Sequence, residues 1–141
     1  MIMEITIIGS SLVSDVQQTF SEAYPFLRVE FFKKRHTQGK MFLKEDKIPP
    51  YVKIGDLSKN LKPGKIDISD SRTVTEFEQQ CREMTGLEVQ VLRRSGSSWI
   101  QTSLTDDWSL ERQNREGELL NNPQPAKTWE QAMEDRMPDM E

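Results

Sequence analysis

The side chains able to do chemistry in this 141-residue chain are few: one thiol, one imidazole and scattered carboxylates. Cys81 is the single cysteine, so an intramolecular disulfide is impossible, and the residue invites reading as a nucleophile. His36, the single histidine, follows Lys33–Lys34–Arg35, three cations that disfavour its protonation. It has no acidic orienter nearby in sequence, and a solvated turn residue is the expectation. One cysteine and one histidine leave a zinc site dependent on carboxylates for most of its ligands, an uncommon arrangement. Asp67 and Asp70 flank a strand end, and Asp106–Asp107 precede a helix. A carboxylate pair for glycoside chemistry is defined by its separation in space, and aspartate before a helix is explained by capping.

Two further groups suit binding. Lys33–Lys34–Arg35 and Arg93–Arg94 both sit where a strand of Val, Phe or Leu residues ends, and together could form one positive patch for phosphates or an acidic partner. The alternative is that each pair solvates its own strand end. The second group is apolar. Strand alternation places Val29, Phe31, Val89 and Val91 on one face and Ile8, Phe32 and Leu92 on the other. That second face needs a cover: the chain's own Trp108, Leu119–Leu120 and Trp129, a second copy, or another protein.

What positions these groups is a repeat. Ile5–Thr6–Ile7 leads into Val13, Val16, Phe20 and Ala23 and then Leu27–Lys34; Ile66–Asp67–Ile68 leads into Val74, Phe77, Cys81 and Met84 and then Leu87–Arg94. The helical stripes match at an offset of sixty-one, the second strands after one residue is dropped. Cys81 thus occupies the place of Phe20 in an apolar stripe, which favours a buried hydrophobic role for the thiol. Ser11 is the expected cap of the first helix, and Thr73–Val74–Thr75–Glu76 has the form of a capping box. Pro25 and Gly86 end the two helices.

Hairpin turns are expected at His36–Gly39, before a short strand at 41–43, and at Arg94–Ser98, before Trp99–Thr102. Asp56–Leu57–Ser58 resembles Asp107–Trp108–Ser109, giving units of strand–helix–strand–strand–helix with the first copy's last helix stunted. Lys44–Lys65, punctuated by Pro49–Pro50 and Pro63–Gly64, reads as a connector outside the core.

The predicted fold class is α+β: duplicated strand–helix–strand–strand units forming a mixed sheet of about six strands, with helices packed on one face. A strand–helix–strand step of this length favours a parallel pair. The alternative is two three-stranded sheets meeting at a pseudo-twofold axis. Residues 1–120 form the domain, with repeats at about 3–62 and 64–120; 121–141 is an acidic tail expected to be mobile. A short helix around Thr128–Met133 is suggested by the form T-x-x-Q.

Composition narrows the function classes. Mean hydropathy is −0.69 and net charge −4, a balance that argues against non-specific nucleic-acid binding. The glycines are scattered and no phosphate-binding loop is present. No secretory leader or apolar run of membrane length is visible, which makes a cytoplasmic location the expectation.

The segment Trp99–Ile100–Gln101–Thr102, Thr105–Asp106–Asp107–Trp108 and Gln113–Asn114–Arg115–Glu116–Gly117 resembles small uncharacterised bacterial proteins. The likeness extends over Met3–Leu120 and implies a bacterial source without any activity. The expectation is a non-catalytic protein-interaction or self-association module needing no cofactor and no metal. Its contact residues would be Phe32, Leu92, Trp99, Trp108, Lys33, Lys34, Arg93 and Arg94, and its partner another protein or a second copy. Phosphate or nucleic-acid binding at the basic strand ends is the alternative, ahead of a small enzyme using Asp106 and Asp107.

Overall fold

The computed structural model describes residues 3–33 and 44–121. Lys34, Arg35, His36, the turn at 36–39, the strand at 41–43 and the helix expected near Trp129 lie outside them. Strands β1 (Glu4–Ile7), β2 (Leu27–Phe32), β3 (Gly64–Asp67), β4 (Glu88–Ser95) and β5 (Ser98–Gln101) are interleaved with helices α1 (Val13–Ala23), α2 (Ile54–Leu57), α3 (Val74–Thr85) and α4 (Leu110–Asn121). The fold is α+β.

Helices α1 and α3 form over their apolar stripes, and in α3 the caps agree with the stripe at both ends. In α3 the Thr73 hydroxyl accepts from the Glu76 amide at 3.2 Å, while the Glu76 carboxylate accepts from the Thr73 amide at 3.0 Å. These bonds also hold the Glu76 carboxyl below its ordinary range. Gly86 ends the helix in the left-handed conformation, φ 71°. The start of α1 departs from expectation. Leu12 holds the cap position, its amide donating to Asp15 Oδ2 at 2.9 Å. The Ser11 hydroxyl instead accepts from the Ile8 amide at 2.9 Å, tightening the preceding turn.

The strands do not pair as a strand–helix–strand step predicts. There are two antiparallel sheets among the described residues, β1–β3 and β2–β4–β5, with no parallel pair and no single sheet of six. Ile5 faces Ile66 in the first sheet and Glu30 faces Gln90 in the second. These are residues that the sequence repeat already matches.

Backbone bonds repeat in the same sense. Val13 N donates to Val52 O at 3.0 Å and Val74 N to Trp108 O at 3.1 Å; Ile54 N donates to Ser11 O and Leu110 N to Arg72 O, both at 2.8 Å. The structural counterpart of Trp108–Leu110 is therefore Val52–Ile54, and not the Asp56–Leu57–Ser58 resemblance. The connector is corrected too: Ile48 and Ile54 are fully buried core residues. Its prolines bend the chain, but its isoleucines return to the interior.

Helix α1 touches both β1 and β2, and α3 touches both β3 and β4, so each helix ties the two sheets together. Phe20 and Phe77 stack between the helices with ring centres 4.9 Å apart. The core around them includes Ile5, Ile7, Val16, Val29, Phe31, Ile66, Cys81, Val89 and Val91.

Candidate functional site

The chemically distinctive groups are mostly structural. Cys81 lies in the same core as Phe20 and Phe77, and its thiol is pushed up by burial and by the Glu78 carboxylate. Glu78 is buried on α3, where burial pushes its carboxyl up to about 7 against the lowering effect of its bond to Val91. Its Oε2 accepts from the Val91 amide at 2.9 Å, taking the place of a strand partner where β5 has ended. The matching residue of the first half, Gln17, donates to Val29 O at 2.9 Å. Tyr24, also buried, donates to Ile68 O at 2.6 Å with Asp70 Oδ1 3.1 Å away, and burial followed by Asp70 raises its pKa.

Three of the four aspartates take part in hydrogen bonds within the fold. Asp67 accepts from the Ser69 amide and hydroxyl, and Asp70 from Tyr24. Asp106 receives Thr75 N and Oγ1 at 2.9 Å through its main-chain carbonyl. Nor do Asp106 and Asp107 cap α4; the Ser109 hydroxyl does, accepting from Arg112 N at 3.1 Å. Among the described residues no group of three His, Cys, Asp or Glu side chains is placed to hold a metal ion.

Register sorts the expected contact residues onto two faces of the β2–β4–β5 sheet. Facing pairs share a side. Leu27 with Arg93, Val29 with Val91 and Phe31 with Val89 form the inner side. Arg28 with Leu92, Glu30 with Gln90, Phe32 with Glu88 and Arg94 with Trp99 form the outer. Arg93 and Trp108 thus belong with the helices. The Arg112 guanidinium lies 3.9 Å and that of Arg93 5.7 Å from the Trp108 ring centre. Arg93 also donates to Gln113 Oε1 at 2.9 Å, and Gln113 donates to Thr105 O at 2.7 Å. Phe32 is buried at 8% exposure, Lys33 is exposed at the far end of β2, and Lys34 lies outside the described residues.

This antiparallel arrangement separates the basic strand ends. Leu27 faces Arg93 and Phe32 faces Glu88, so Lys33 and Arg93 are at opposite ends of the sheet. At about 3.3 Å per residue they stand roughly 20 Å apart, and the single patch expected from sequence does not form between them.

What the outer face does bring together is Leu92, Trp99, Arg94 and a residue the sequence reading passed over, Arg28. The Arg28 guanidinium sits 5.9 Å from the Trp99 ring centre, and β4 with Leu92 runs between their strands. Arg28 also ion-pairs Glu30, whose side chain is 2% exposed and which Lys47 meets at 3.3 Å and Gln17 at 3.0 Å. Glu30 was legible only as an acidic residue interrupting a Val–Phe strand. Arg94 is exposed, spends its Nε on Gly96 O at 3.2 Å, and makes no ion pair with a described carboxylate.

Next to Arg94 a cleft of about 460 Å³ opens between Phe26, Gly96, Ser97, Leu120 and Asn121. Helix α4 forms one wall because it lies close against the chain: Asn114 Oδ1 accepts from Phe26 N at 2.8 Å, and a Cβ on Gly117 would meet Phe26 Cβ at 2.7 Å. Asn121 closes the wall, donating to Arg94 O at 2.8 Å. Three residues of the segment on which the resemblance rests (Gln113, Asn114 and Gly117) are thus what holds α4 on the sheet.

Fold and surface together define a two-sheet α+β protein whose most distinctive exposed feature is a cationic and aromatic sheet face. No helix among the described residues is long and apolar enough to cross a membrane. Set against protein-family models, curated proteins and solved structures, the chain finds no match.

Proposed function

We propose that the protein is a non-catalytic interaction module that binds an acidic polypeptide carrying apolar anchors. The binding surface is the end of the outer sheet face formed by Arg28, Leu92, Arg94 and Trp99. The observation that carries this reading is the Arg28–Trp99 contact across the strand of Leu92, with Arg94 alongside making no ion pair to a described carboxylate. An indole and a leucine supply contact area, and neighbouring guanidiniums supply direction and discrimination by charge. The adjoining strand β5 extends the surface through Gln101, exposed and opposite Leu92 on the same face. The roughly 20 Å between Lys33 and Arg93 favours this reading over a phosphate or nucleic-acid site joining the two basic strand ends.

The test is capture from a nuclease-treated cell lysate on the immobilised full chain, comparing it with Trp99→Ala and with Trp108→Ala. A protein held in stoichiometric amount by the parent and by Trp108→Ala, and lost from a Trp99→Ala variant that melts normally, supports the reading. Equal capture by all three places the surface elsewhere, and an empty lane both from the parent and from a Trp129→Ala variant removes the module reading.

A further inference from the structure

We infer that the chain carries its own occupant for this surface: the acidic segment 127–141, which competes in cis with any outside partner. This rests on the interaction surface proposed above.

Three observations lead to it. First, the segment leaves the described structure beside Arg94, one residue of the site. Asn121, the last residue of α4, forms part of the cleft wall and donates to Arg94 O at 2.8 Å. The eight steps from Asn121 to Trp129 reach at most about 29 Å at 3.6 Å per residue, enough to span this end of the sheet. A tether this short places its end at an effective concentration in the millimolar range, which favours the same chain over a second copy.

Second, the charges complement each other. Glu130, Glu134, Asp135, Asp139 and Glu141 stand against Lys127 and Arg136, so the segment holds three of the four net negative charges of the whole chain. The receiving surface offers Arg94 and Arg28; Glu30, the buried carboxylate on that face, is already met by Arg28 and Lys47.

Third, the segment has apolar anchors in its sequence. Trp129, Met133 and Met137 recur every four residues among the acids. The surface has Leu92 and Trp99 half-buried, and the adjoining cleft has Leu120 exposed at 57%. Methionine suits such a surface because its flexible thioether adapts to an aromatic neighbour.

Because Cys81 is buried and its thiol is held in the neutral form, Asp135→Cys supplies one reactive thiol for a nitroxide label on the full chain. Paramagnetic broadening of the amides of 94–99 and of the Trp99 indole is the expected result, absent when Arg94→Glu and Trp129→Ala are added. Mixing labelled chains with isotope-enriched unlabelled ones separates cis from trans. Broadening confined to the labelled chain supports the inference, and broadening across chains overturns it in favour of a second copy. Broadening absent or spread over the surface overturns it outright. In the capture experiment Trp129→Ala should then raise the amount of partner held. If the broadening is absent while Trp99→Ala still loses the partner, the surface stands and the occupant is wrong. If the broadening is present while capture ignores Trp99, the outside partner binds elsewhere.

Discussion

At the scale of single residues, the most telling contrast is between Gln17 and Glu78, which hold matching places on α1 and α3 and both bond a strand backbone. Only the second is ionisable. With its carboxyl raised from 4.5 to about 7, folded Glu78 keeps a proton that the unfolded chain has already released. Stability therefore falls as pH rises from about 4.5 through 7, and at pH 8 the charged form costs about 3 kcal/mol. Glu78→Gln keeps an acceptor for Val91 N and copies Gln17, so it should raise stability at pH 8 and flatten the dependence. Urea unfolding at pH 5 and pH 8 tests this; a variant no more stable than the parent at pH 8 would refute it. Cys81 supports a companion expectation: a thiol reagent should leave the native protein unmodified and react completely in denaturant.

At the scale of elements, the docking of α4 decides whether the cleft exists. Gly117→Ala gains helix propensity of about 1 kcal/mol but drives a methyl into Phe26. The clash should prevail, with a net loss of about 1–3 kcal/mol and altered NMR shifts at Phe26 and Arg94. Thr73→Ala, which removes a cap far from the cleft, should cost about 1 kcal/mol and leave those shifts in place. The helices were legible in the sequence from their apolar stripes, and α3 also from its capping box, whereas the cap positions of α1 and α4 fall to Leu12 and Ser109 instead of the residues expected. Strand partners were not, since pairing depends on residues some sixty positions away, and the strand–helix–strand spacing spoke for the wrong neighbour. Trp99 was a candidate contact in the sequence by its type alone. Arg28 was not, because its meeting with Trp99 is created by register across an intervening strand. The core role of Ile48 and Ile54 was hidden by the prolines around them.

At the scale of the whole molecule, the separation of the basic ends makes the surface one-sided. Arg94→Glu should abolish binding of an acidic peptide and its salt sensitivity, whereas Lys33→Glu, roughly 20 Å away, should leave affinity nearly unchanged. Equal effects from both would contradict the one-sided surface. The antiparallel joining of matched strands also has a kinetic consequence. Among the described residues the ladder partners of β1 and β2 are β3 and β4, with only the isolated Phe32–Lys47 bridge joining β2 to nearer chain, so both ladders close loops of tens of residues. A chain in which only the β4–β5 hairpin is local, while β1–β3 and β2–β4 wait for distant segments to meet, has a high contact order and a transition state with little room for a half-made molecule. Its refolding is expected to be slow for its length and to follow a single exponential, with no stable half surviving when the chain is divided between β2 and β3.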